Sequence, residues 1–176
     1  MTASGGWVHG ASATVAAADG DVLKAEPYTQ IVVDRASTPP LFVKTYSNPR
    51  WLLWRTIGQA SRSEREYANL VAARVGGVSC VEPVAWGERR RFGCVLHSTL
   101  TLVFEDGMQS MRDVLRGMAQ RSRMKTTTMA DRLQRRHCAR GFGVLLRAVH
   151  EAGAFWGTVT PRNVLVRGGR VEQPSG

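Results

Sequence analysis

The chain is short of acids. Fourteen Asp and Glu stand against 24 Lys and Arg in 176 residues, a formal net charge of +10. Such a balance argues against a cationic partner and favours phosphate-bearing ones, with a plainly solvated arginine-rich surface as the alternative. Cysteine is scarce too: Cys80, Cys94 and Cys138 are odd in number and widely spaced. They make neither a metal knuckle nor a disulfide framework, so a reducing cytoplasm is the simplest home and buried thiols the simplest role. No long apolar run is present. The longest, Cys94 to Phe104, is interrupted by His97, Ser98 and Thr99 and is too short to span a bilayer. No basic segment followed by a continuous apolar one opens the chain, so no secretory signal is expected. Residues 21–43 contain no glycine, which excludes a glycine-rich phosphate loop there. No internal repeat is visible.

What is present reads as an α+β chain. Residues 1–20, rich in Gly, Ala and Ser, are expected to be a flexible leader or a weak first strand. Val22-Leu23-Lys24 and Ile31-Val32-Val33 suggest two strands joined near Glu26-Pro27, and Leu41 to Tyr46 a third. Trp51 to Ile57 is expected to be a short helix. Ser61-Arg62-Ser63-Glu64 has the form of a capped helix start, and Gly76-Gly77 stops that helix. Val78 to Trp86 and Cys94 to Phe104 read as strands about a turn at Arg89 to Gly93. After a linker at Glu105 to Gly107, helix resumes near Met111. Arg121 to Met129 reads as a mobile loop. A long helix follows from Ala130 to Glu151, with Leu133, Val144, Leu145, Ala148 and Val149 facing a core and Gly153 ending it. The organisation expected is a leader (1–20), a sheet-rich lobe (21–105) and part of a helical lobe (106–176).

Several of these stretches carry chemistry in a particular order. Phe42-Val43-Lys44 puts a cation on a strand. Ser63-Glu64-Arg65-Glu66-Tyr67 puts carboxylates on the following helix. Val149-His150-Glu151-Ala152-Gly153 closes the long helix, and Thr158-Val159-Thr160-Pro161-Arg162-Asn163 leads into the apolar Val164-Leu165-Val166. In that order they resemble the bacterial lipopolysaccharide kinase family (Kdo and heptose kinases) of the protein-kinase-like superfamily, over roughly residues 20–170. The resemblance implies an antiparallel-sheet N-lobe with one helix, followed by the beginning of a helical C-lobe. It implies that Lys44 pairs with nucleotide phosphates, that Glu66 orients it, with Glu64 the rival, and that Asn163 holds magnesium. Leu100 to Glu105 takes the position of the hinge that meets adenine through backbone groups. His150 is expected to be a packed residue without chemistry.

The chain departs from the pattern at the chemistry itself. The position of the catalytic Asp is Thr158, within Trp156-Gly157-Thr158, and no Asp-Phe-Gly occurs in residues 164–176. A hydroxyl does not take a proton from an attacking sugar hydroxyl as a carboxylate does, and Mg²⁺ prefers at least one carboxylate. By resemblance the function is ATP-dependent phosphoryl transfer to a sugar hydroxyl of the lipopolysaccharide core, or another phosphorylated glycan, at the inner-membrane surface, impaired in this chain. The alternative is a catalytically inactive kinase-like module, a pseudokinase that binds nucleotide or an acidic partner. Nucleic acid is the third reading. Neither a helix-turn-helix, an aromatic RNA-binding strand nor a zinc motif supports it.

Overall fold

The computed structural model describes residues 7–10, 20–124, 126–153, 161–167 and 170–171. The chain divides into two compact units, Met1–Val71 with Val81–Phe104 and Ala72–Cys80 with Glu105–Gly176. The fold class is α+β: an antiparallel-sheet unit bearing one helix, then a largely helical unit, as expected of a kinase-like N-lobe and the start of a helical lobe.

The first unit is built on six strands: β1 (Trp7–Gly10), β2 (Asp21–Glu26), β3 (Thr29–Asp34), β4 (Leu41–Ser47), β5 (Pro83–Arg91) and β6 (Cys94–Val103). They form one antiparallel sheet in the order β1-β5-β6-β4-β3-β2. Of the expected leader, residues 7–10 form a strand on β5, and residues 1–6 and 11–19 lie outside the described residues. β6 is paired on both sides, and its Val95, Ser98, Leu100 and Thr101 are buried. Its β-branched and aliphatic side chains suit a pleat covered on both faces. β2, at the edge, keeps Val22 and Leu23 exposed.

Two local readings shift. Val78 to Glu82 is not strand, and β5 runs on to Arg91, so the turn shrinks to Phe92-Gly93. Both of these residues have positive φ, 50° and 77°. A two-residue hairpin turn with φ positive at both positions twists the way the flanking strands do.

Helix α1 (Arg62–Val75) opens with a capping box, the Glu64 amide donating to Ser61 Oγ and the Ser61 amide to Glu64 Oε2. At its other end the Gly77 amide reaches Arg74 O and the Val78 amide reaches Ala73 O, with Gly77 at φ +76°. This paired closure needs a left-handed residue after the last turn, which glycine adopts without a Cβ clash.

In the second unit, β7 (Met108–Ser110), β8 (Leu165–Arg167) and β9 (Arg170–Val171) make a small antiparallel sheet beside α2 (Met111–Arg123) and α3 (Met129–Glu151). Its core gathers Val78, Met111, Cys138, Leu145, Val149, Val164 and Val166. The inward stripe of α3 is Asp131, Cys138, Gly141, Leu145 and Val149, with Phe142 and Ala148 packed beside it. The expected core residues Leu133 and Val144 instead stand 47% and 43% exposed. At 3.6 residues per turn each falls a step off the stripe that Cys138 and Leu145 define. His150 is exposed rather than packed.

Nor is the connection before α3 a loose loop. α2 continues to Arg123, and the Arg121 guanidinium donates twice to Asp131 Oδ1, at 2.9 and 2.5 Å. Asp131 Oδ2 accepts from the Thr128 amide and hydroxyl, closing a capping box at the α3 N-terminus. The Arg121 contact, then the Thr128 amide, draw the Asp131 carboxyl down from 3.8 to about 2. A carboxyl whose folded-state pKa is depressed contributes stability above its unfolded value and loses it as pH falls through the folded one. Asp131→Asn should therefore lower the unfolding midpoint at neutral pH. Its gap from the parent chain should close between pH 3.8 and about 2, read by circular dichroism in urea across that range.

Candidate functional site

The site begins with strand alternation. Residues two apart on a strand share a face, so β4 sets Phe42, Lys44 and Tyr46 side by side on one face. β4 places Lys44 beside Leu100 of β6 and Ile31 of β3. On α1, Ser63, Glu66, Tyr67 and Leu70 lie at helical spacing on one side.

Strand and helix meet through Glu66. Lys44 Nζ donates to Glu66 Oε1 at 2.9 Å, and the Tyr46 hydroxyl donates to Glu66 Oε2 at 2.5 Å. Each carboxylate oxygen thus has its own donor, which fixes the plane of the group. The Lys44 ammonium also stands 4.9 Å from the centre of the Tyr46 ring, and the Arg62 guanidinium 4.3 Å from it, both within cation–π range. Burial first, and the Glu66 carboxylate second, push the Tyr46 phenol well above its ordinary value. It therefore remains a protonated donor at any physiological pH. Lys44 and Glu66 are about a fifth and a third exposed, so water reaches the pair and its net stabilisation is on the order of 1 kcal/mol or less. Orientation is the larger consequence. An ammonium carries three N–H donors, and the contact with Glu66 leaves capacity for an anion.

Between the two rival carboxylates the geometry discriminates. Glu66 meets Lys44, and Glu64 is occupied in the capping box with Ser61. Tyr46 and Arg62 are site members that the sequence reading missed. The alternation that places Tyr46 beside Lys44 was the available signal. Of the stretch Leu100 to Glu105, the Val103 amide donates to Glu82 O and the Phe104 amide to Pro40 O, so both donors are committed within the sheet unit. The β2–β3 hairpin turns through Pro27-Tyr28, and Tyr28 O accepts from the Ser47 amide.

In the second unit, Asn163 closes a short 3-10 helix (Pro161–Asn163) and is exposed, directly before the buried Val164. The Met111 amide donates to Val164 O at 2.8 Å, tying this segment to the start of α2. Thr158 lies outside the described residues. Among the described residues, no group of three or more His, Cys, Asp or Glu could hold a metal ion. Asn163 brings one neutral amide oxygen, a donor set that does not suit Mg²⁺. Also among them, no helix is long and apolar enough to cross a membrane.

The site thus consists of a strand lysine held by a helix glutamate on an antiparallel sheet. No protein-family model matches the chain, and no curated protein matches it. Among solved structures it is similar to WaaP in complex with acyl carrier protein, at 20% identity and a TM-score of 0.47, over 77% of this chain and 47% of that one. The chain thus spans about half the length of that structure's chain.

Two substitutions at this site should act with opposite sign. Tyr46→Phe deprives Glu66 Oε2 of its donor and should cost about 1–2 kcal/mol in urea unfolding. Ser63, one turn earlier on α1, has a buried hydroxyl with no hydrogen-bond partner. Ser63→Ala removes that unsatisfied group and should stabilise by about 1 kcal/mol in the same assay.

Proposed function

We propose that the chain is a kinase-like protein of the lipopolysaccharide or sugar type. In this reading it binds a nucleoside triphosphate through Lys44, and its transfer of phosphate to a sugar hydroxyl is impaired. The observation that carries the reading is the Lys44–Glu66 contact at 2.9 Å, with the carboxylate held from its other side by Tyr46. A cation on a rigid strand, aimed by a fixed carboxylate, neutralises phosphate charge without having to reorganise.

The chemistry beyond binding is poorly provided for. Thr158 stands at the position where the resemblance implies a carboxylate, and a hydroxyl neither accepts the sugar proton at neutral pH nor orients the sugar by charge. Asn163 would lie at the metal position, but its single amide does not supply the donors Mg²⁺ requires, so no step is routed through a metal. What these residues can do is bind, neutralise and orient phosphates. The acceptor implied by resemblance is a core sugar of lipopolysaccharide at the inner-membrane surface. The specific observation of Thr158 favours a second reading, a catalytically inactive module that binds nucleotide or an acidic partner.

Titration with ATP, followed by thermal shift with and without magnesium, tests the reading. Lys44→Met should weaken nucleotide binding by about tenfold or more, the loss expected for a charge-assisted hydrogen bond. Glu66→Gln should weaken it, and Glu64→Gln, which keeps a capping-box residue, should not. A shift that is independent of magnesium, with no phosphate transferred to a lipid A–core acceptor, would select the inactive module. An absence of any nucleotide-induced shift would overturn both.

A further inference from the structure

One surface of the sheet unit, apart from Lys44, combines apolar exposure with charge of a single sign. The 3-10 helix Arg50–Thr56 is capped by Ile57. In such a helix residues three apart eclipse one another, so Trp51, Trp54 and Ile57 share one edge. They are 72%, 67% and 55% exposed. The tip of the β5–β6 hairpin lies beside them. A Cβ placed on Gly93 would stand 3.7 Å from Ile57 Cγ2. The Arg90 guanidinium clasps Gln59 O at 2.7 Å and Gly93 O at 3.0 Å, and Thr56 Oγ1 accepts from the Val95 amide at 2.8 Å. Helix edge and hairpin tip are therefore one rigid surface.

At that tip Phe92 is 80% exposed and sits at φ +50°. A bulky residue in the left-handed region is disfavoured relative to Asn or Gly, which two-residue turns ordinarily use. An exposed ring held there against local preference points to a role outside the fold. Around the four apolar side chains the exposed charges are positive: Arg50, Arg55, Arg89 and Arg91. Arg55 lies over the Trp54 ring and Arg91 over the Phe92 ring. Residues 47–63 and 89–95 contain no acid. Glu88, just before the tip, is buried and neutralised by Arg90.

We propose that this surface docks the protein on an anionic lipid bilayer, with Trp51, Trp54, Ile57 and Phe92 entering the headgroup boundary and the arginines meeting lipid phosphates. Indole and phenyl rings beside guanidinium groups suit that boundary, where one side is wet and the other apolar. Ile57 at the centre favours lipid over a nucleic-acid strand, since an aliphatic side chain gives bases nothing to stack on.

Co-sedimentation of the full chain with vesicles tests this, comparing phosphatidylcholine alone with phosphatidylcholine–phosphatidylglycerol mixtures. The expected result is binding to the anionic vesicles only, weakened by salt, with a blue shift of tryptophan emission. The W51S/W54S double variant should lower partitioning by about tenfold. Phe92→Asn should lower it severalfold while leaving the unfolding midpoint unchanged or raised, because Asn tolerates the left-handed turn. Lys44→Met should bind vesicles like the parent chain, which separates this surface from the nucleotide reading. The proposal is overturned if the parent and the variants partition alike, or if the chain ignores anionic vesicles. It is overturned equally if the chain ignores them and binds an acidic protein or a single-stranded oligonucleotide through the same residues.

Discussion

The sheet unit turns on one carboxylate. Glu66 accepts from Lys44 on one oxygen and from Tyr46 on the other, and these two donors are successive same-face residues of β4. A single ion pair this exposed stabilises little. A carboxylate gripped at both oxygens by one strand, however, has few ways to rotate, and α1 is held in azimuth with it. The capping box reinforces this from the helix start, since Ser61 and Glu64 set where the first turn begins and so where Glu66 falls. The cation at Lys44 is thereby held by geometry rather than by strength of attraction. Preorganisation of that kind suits a group that must meet a charged ligand without first moving.

The second unit uses charge differently. Asp131 is buried, and its oxygens are shared between Arg121 and the Thr128 cap. Here the pair fastens the α2–α3 connection, its carboxylate buried although the Arg121 side chain is about half exposed. Comparing it with Lys44–Glu66 shows why an ion pair alone does not mark a site. Asp131 is buried and consumed by hydrogen bonds that close a helix, whereas Glu66 is a third exposed and ties a strand to a helix through Lys44 and Tyr46.

Much of this was readable from local rules, and the failures share a cause. Strand positions for Leu41 to Tyr46, the Ser61 start and the Gly77 stop follow from β-branched content, capping chemistry and glycine's left-handed freedom, all of which act within a few residues. The Glu64 or Glu66 ambiguity was soluble in principle, because Ser61-x-x-Glu64 already assigns Glu64 to the cap. Leu133 and Val144 were misplaced because apolarity alone does not set a helix's phase. Cys138 and Gly141 define the inward stripe of α3, and a glycine carries no hydrophobic signal. Arg121 to Met129 reads as loop because its polarity is legible in the sequence, while the pairing of Arg121 with Asp131, ten residues on, depends on how the two helices meet.

Phe92 belongs to another category. Local preference would place Asn or Gly in that turn, and the chain instead holds a phenylalanine at φ +50° with the ring in solvent. Among the described residues the ring is stacked by the side chain of Arg91 next to it. The Trp51 and Trp54 rings repeat the pattern, with an intrahelical bond from the Trp54 indole to Trp51 O holding the second ring in place. Three exposed rings on one rigid surface whose exposed charges are positive match a boundary that is apolar on one side and anionic on the other, which is the physical content of the docking proposal.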